Sequence, residues 1–240
     1  MPFPSPPPNW DREEISKFFD EARLNEFATF AHLTDDVARL LDIDRAYRVA
    51  ISGLNHSQNW FSAFFVIRAH SNFLAACRMS WSGQIPESYA LLRSCLENAL
   101  YGLYLARNPD SRQTWLCRHD SEDSKKKVKK EFQIKALIEL AIEVDAHEGD
   151  VTKILYDRTI DFGAHPNERA LMQTLQIEDD AENIHFKVSY LDDDSDTLKQ
   201  TLRFAAQVGI CALSLFYTVY AESFQHFGVV DILSHAKDGL

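Results

Sequence analysis

After Pro8 the chain meets only three more prolines, Pro86, Pro109 and Pro166, in the remainder of its 240 residues. Proline removes a backbone donor and breaks helix interiors, so long stretches without it can run as uninterrupted helices. Glycine is equally sparse, at eight residues. A many-stranded sheet needs turn residues at short, regular intervals, and this chain does not supply them. With 45% apolar residues and 16 phenylalanines there is enough side-chain volume for a substantial core. These features predict a mainly α protein, a bundle of about six to seven helices.

The apolar spacing fills in the elements. Trp10, Ile15, Phe18, Phe19, Ala22, Leu24, Phe27 and Phe30 recur at largely helical intervals. Thr34, Asp35 and Asp36 then start a second helix striped by Val37, Leu40, Leu41 and Ile43, so residues 10–52 read as an antiparallel N-terminal hairpin. Residues 57–80 are apolar on most sides and should be central. Pro86 precedes a helix from about Glu87 to Arg107. Beyond a short piece at Trp115–His119, one charged helix is expected from about Ser121 to Val144. Another follows over 147–162, with Val151, Ile154, Leu155 and Ile160 inward. Residues 184–190 alternate apolar and polar, which predicts a small inserted β-hairpin over about 172–190, turning through Asp179–Glu182 and lying against the bundle or a partner. Residues 204–221 are almost wholly apolar and reach the length of a membrane span. No basic excess flanks them, and a core helix buried on all sides is the expectation, with no membrane.

Residues 1–9 read as a flexible, Pro-rich arm, 10–228 as a single helical-bundle domain, and 229–240 as a tail that is frayed or disordered. The opening Met-Pro-Phe-Pro-Ser-Pro-Pro-Pro has neither the basic nor the apolar region of a signal peptide. Cys77, Cys95, Cys117 and Cys211 show no metal-binding or redox spacing, which predicts free thiols, a cytoplasmic location and no zinc. No metal or other cofactor is expected. The net charge of −11 argues against a broad nucleic-acid surface but leaves room for a local cationic site. Five lysines among residues 125–130 form the one basic cluster, and a solvated helix start accounts for them as well as phosphate contact does.

The chemistry-bearing stretch is Tyr156–Asn167. It holds Arg158, Asp161 and His165 where a helical pattern runs into Gly163 and Pro166. A histidine just beyond a helix C-terminus has its charged form favoured, which suits a general acid, an anion contact or plain carbonyl capping. Arg93 and Glu97, four apart, form either a structural ion pair or part of an interior binding site. Asn167 is a further candidate binding residue.

Taken in order, the Leu-Arg-x-x-x-Glu-Asn helix, the Ala-His-Pro-Asn stretch, the hairpin and the long apolar helix resemble uncharacterised bacterial proteins allied to the HEPN superfamily, over about residues 57–227. Many HEPN members are metal-independent endoribonucleases of toxin–antitoxin and antiphage systems, marked by Arg, four to six residues, then His. Arg158 and His165 meet that spacing at its loose limit. The resemblance implies a homodimer with Arg158 holding a phosphate and His165 as general acid or base for attack of the RNA 2′-hydroxyl, with Asp161 as a further catalytic candidate. Non-catalytic relatives bind RNA or protein partners. Two expectations therefore stand: a non-catalytic, HEPN-like helical interaction module of a bacterial stress or defence system, and a metal-independent ribonuclease using Arg158 and His165. Whether the chain is an enzyme stays open at this point.

Overall fold

The computed structural model describes the chain except residues 1–4, 55–58, 165–167, 180–183 and 194. It is mainly α. A 3-10 turn, Trp10–Arg12, leads into α1 (Glu14–His32) and α2 (Thr34–Ser52). Then come α3 (Trp60–Trp81), α4 (Ile85–Arg107), α5 (Ser111–Leu116), α6 (Glu122–Glu131), α7 (Ile134–Val144) and α8 (Ala146–Thr159). A π-helical turn, Ile160–Ala164, precedes α9 (Glu168–Thr174). Two short strands, β1 (Leu175–Asp179) and β2 (Ile184–Val188), are followed by α10 (Asp196–His226) and α11 (Val229–Lys237).

The core is built on α10, which packs against α2, α3, α4, α8 and α11. Its sequence explains the position: Phe204, Ala205, Ala206, Val208, Ala212, Leu213, Leu215 and Phe216 are all buried, while the side that carries Gln200, Arg203 and Gln207 stays open along the first half of the helix. By length and composition α10 could cross a membrane, yet 72% of its most apolar window is buried inside the bundle. Gly209 permits a close approach, since a β-carbon there would lie 2.6 Å from the Phe73 ring of α3 and 2.8 Å from Ile43 of α2. Ser195 caps the helix start, its hydroxyl accepting from the Leu198 amide at 2.9 Å.

Several expectations need correction. There are more helices than six or seven: the short α5, α9 and α11 are added, and the single charged helix expected from Ser121 to Val144 is two. It breaks at Phe132, which leaves the helix to bury its ring 5.3 Å from Tyr101 and 5.2 Å from Tyr104. At the N-terminus α1 and α2 follow one another across Leu33 and touch, but α2 packs mainly on α10 and α11, while α1 spreads over α2, α3 and the first turn. The expected tail is the helix α11, which buries Val229, Leu233 and Ala236. Ile154, expected inward, is exposed.

Likewise α3 is not surrounded, because Trp60, Phe64, Ile67 and Leu74 face solvent. The hairpin expected over 172–190 does not stand as drawn. Residues 172–174 close α9, Leu175 pairs with Val188 and Asp179 with Ile184, and most of the expected turn lies outside the described residues. Its Phe186 and Val188 are exposed rather than packed on the bundle.

Candidate anion-binding cleft

Arg158 is the next-to-last residue of α8, and the way that helix ends decides where it points. The Asp145 carboxylate caps the other end, accepting from the Glu148 amide at 3.0 Å. Beyond Thr159 the chain widens into the π-helical turn and leaves helical geometry at Gly163. That turn presses against the start of α4: a β-carbon on Gly163 would sit 2.3 Å from the Pro86 carbonyl oxygen. Only glycine permits this approach. The contact carries Phe162 to within 5.6 Å of Tyr89 on α4, and Tyr89 stacks on Phe204 of α10 at 4.7 Å.

A cleft of about 250 Å³ opens above these rings, lined by Arg158 and Phe162, by Tyr89, and by Thr197, Gln200, Arg203, Phe204 and Gln207 of α10. The α10 residues fall at intervals of three and four, so one helix face supplies a hydroxyl, two carboxamides and a guanidinium. Both arginines are exposed. Arg203 is tethered at the edge by Asp36 of α2, its Nε 3.5 Å from Oδ1, a carboxylate that Arg39 also approaches at 3.7 Å. The floor is aromatic, with Tyr89 and Phe204 buried and Phe162 half-buried, while the walls offer hydrogen-bond donors and two positive charges. Such a lining suits an anion attached to a flat or apolar group. Tyr89 is the one lining group besides the arginines that titrates, and burial pushes its phenol up, with Thr201 and Arg158 partly opposing.

The other candidate residues lie elsewhere. Arg93 and Glu97 are joined at 2.8 Å, and the Tyr156 hydroxyl donates to the same Glu97 oxygen at 3.0 Å. The Arg93 guanidinium lies over the Tyr156 ring, 5.2 Å from its centre. Burial and the Glu97 carboxylate push the Tyr156 phenol up to about 12. This network ties α4 to α8, and its residues do not line the cleft. Asp161, on the π-helical turn, is paired with Arg169 at 2.9 Å and is not among the residues that line the cleft. His165 and Asn167 lie outside the described residues.

In the basic cluster, Lys125 and Lys126 pair with Glu122 and Asp123 one turn earlier, in solvent. The four cysteines are free, with Cys95 and Cys211 pushed up to about 12 by burial. Among the described residues no three His, Cys, Asp or Glu side chains cluster as metal ligands.

Sequence reasoning reached Arg158 but missed Tyr89, Gln200, Arg203 and Gln207. A signal was present: the polar residues at 200, 203 and 207 interrupt an apolar helix at one-turn spacing, marking a face that is not packed. Comparison with protein-family models, curated proteins and solved structures gives no match.

Proposed function

We propose that the chain is a non-catalytic, HEPN-like helical interaction module, acting in a bacterial stress or defence setting, whose cleft holds one phosphate group of an RNA partner. The observation that carries this reading is the pairing of Arg158 and Arg203 across a donor-lined cleft over buried aromatic rings. Two guanidinium groups match a phosphate's charge and geometry. A site of this size suits a single nucleotide, consistent with a chain whose net charge of −11 disfavours a long nucleic-acid track. Among the described lining residues none has an ordinary pKa near neutrality, which favours holding an anion over moving a proton.

The ribonuclease reading draws on the same exposed Arg158 and assigns proton transfer to His165. The Gly163 break interrupts the helical register between them, which weighs against a shared helix face.

A fluorescent single-stranded RNA oligonucleotide, titrated without added metal and then run on a gel, separates the readings. A charge-assisted hydrogen bond is worth about 1.5–3 kcal/mol. Arg158→Ala and Arg203→Ala should therefore each weaken binding roughly ten- to hundredfold. The salt slope should be only about −0.7, as for one phosphate of a single strand. RNA left intact by the wild type supports the binding module. RNA shortened by wild type but not by His165→Ala establishes the nuclease instead. Affinity indifferent to both arginines removes the cleft from either account.

A further inference from the structure

The solvent face of α3 carries Trp60, Phe64, Ile67, Ser71, Leu74 and Arg78, spaced 4-3-4-3-4 along the helix. That is the seam spacing of a helix built to pair with another helix. The four apolar members are 59%, 55%, 47% and 41% exposed, in chain order. The opposite face, with Phe65, Ala69, Phe73 and Ala76, is already spent on the core. We infer that this stripe is the interface of a two-fold homodimer in which α3 packs antiparallel against α3 of a second copy.

The order of residues makes the seam complementary to itself. An isologous contact requires each position to meet its counterpart under one rotation. With the axis at the level of Ala69, Trp60 meets the second copy's Arg78, Phe64 meets Leu74, and Ile67 meets Ser71. Each layer joins unlike shapes: a guanidinium over an indole face, a ring against a leucine, and a branched side chain against the small Ser71 at the centre. The parallel arrangement would place Trp60 on Trp60 and Arg78 on Arg78, setting like charges together.

The surface is also large enough. At these exposures, and with aromatic side chains of about 150–250 Å² each, the stripe presents roughly 400 Å² of apolar area. It continues onto α1: Arg78 donates to Glu26 at 3.0 Å, and Phe27 lines one cleft with both of them. Phe27 and Phe30 are each 53% exposed. Together with the stripe and its polar flanks, they approach the roughly 800 Å² per partner of a standard interface. The largest apolar patch of a typical monomer is about 300–600 Å², and patches of that size are often functional. The inference does not depend on the phosphate cleft, whose lining residues come from other elements.

Light scattering on the full chain across a concentration series tests it. The wild type should show twice the 27.5 kDa chain mass. Ile67→Asp, which places two carboxylates near the axis, should show the single-chain mass with an unchanged helical spectrum. The register is read with Phe64→Cys and Leu74→Cys together, Cys117 being changed to Ser. These positions are ten residues apart, about 15 Å along one helix, too far to bridge within a protomer. Oxidation should yield a covalent dimer that reductant reverses. A single-chain mass for the wild type at every concentration would overturn the inference, and is the result expected if a different protein or a lipid surface covers the stripe. So would a dimer that survives Ile67→Asp, or the absence of the cross-link.

Discussion

Two helices, α3 and α10, are both rich in large apolar residues, yet the fold treats them oppositely. Five helices pack on α10, and its apolar residues from Val208 to Phe216 are buried, while the polar face of its first half is left open. α3 spends one face on the core, where Val66, Ala69, Phe73 and Ala76 are fully buried, and leaves a second apolar face in solvent. Hydrophobic content therefore measures how much surface a helix needs covered, and the count of neighbours decides how much of it the monomer covers. An apolar helix with too few neighbours within the chain presents the remainder to a partner.

The largest expected effect comes from breaking the surrounded member of the pair. Phe216 is fully buried at the centre of α10. Phe216→Ala removes a ring from a site closed on all sides, and such truncations cost about 3–5 kcal/mol. Urea denaturation gives the value. A cost below about 1 kcal/mol would mean that the site collapses readily or that α10 is not the centre of the core.

A smaller effect is expected at the seam between the two faces of α3. His70 is buried there, its Nε2 2.6 Å from Asp44 Oδ1, with its ring stacked 5.0 Å from Tyr47. Burial alone would raise the Asp44 carboxyl, but hydrogen bonds from Arg48 and His70 outweigh it and hold the group below its ordinary 3.8. A depressed carboxyl contributes stability that is fully present above its unfolded pKa and is lost as pH falls through the folded one. Stability should therefore drop on acidification below about pH 4, and Asp44→Asn should flatten that limb. His70→Ala, which leaves Asp44 short of a partner, should cost about 1–3 kcal/mol at neutral pH. Equal acid limbs in wild type and Asp44→Asn would detach this pair from stability.

What the sequence made legible follows the same division. Long helices were readable from sparse prolines, and α10's burial from its uninterrupted apolar run, because both depend on the local chain alone. The exposed faces of α1 and α3 were not, since a periodic apolar stripe looks the same whether it faces a core or a second molecule. Leu24, Phe27 and Phe30 kept helical spacing and still face solvent, while Ser16, Ala22 and Thr29 are the buried residues of α1. The break at Phe132 was hidden because no proline or glycine marks it; two tyrosines from α4 draw the ring inward. Arg158 was legible through its place before Gly163 and Pro166. Its companions Tyr89 and Arg203 were not, because they are 69 positions before it and 45 after it in sequence (158 − 89 and 203 − 158), and only the packing of α4, α8 and α10 brings them together.

The smallest expected effect is the sharpest test of the comparison. Phe64 lies in the exposed stripe of α3, its ring meeting those of Trp60 and Phe61 edge to face at 6.0 and 6.5 Å. In protein diluted until single chains dominate, Phe64→Ser changes little that the fold has buried, so its stability should stay within about 0.5 kcal/mol of wild type. At high concentration the same substitution should separate the two proteins, because only the wild type then gains stability from association. Melting temperatures at two concentrations a hundredfold apart read both quantities at once. A loss at the dilute end comparable to that of Phe216→Ala would show that the stripe is covered within the monomer. A small loss that grows with concentration is the signature of an apolar face waiting for a second chain.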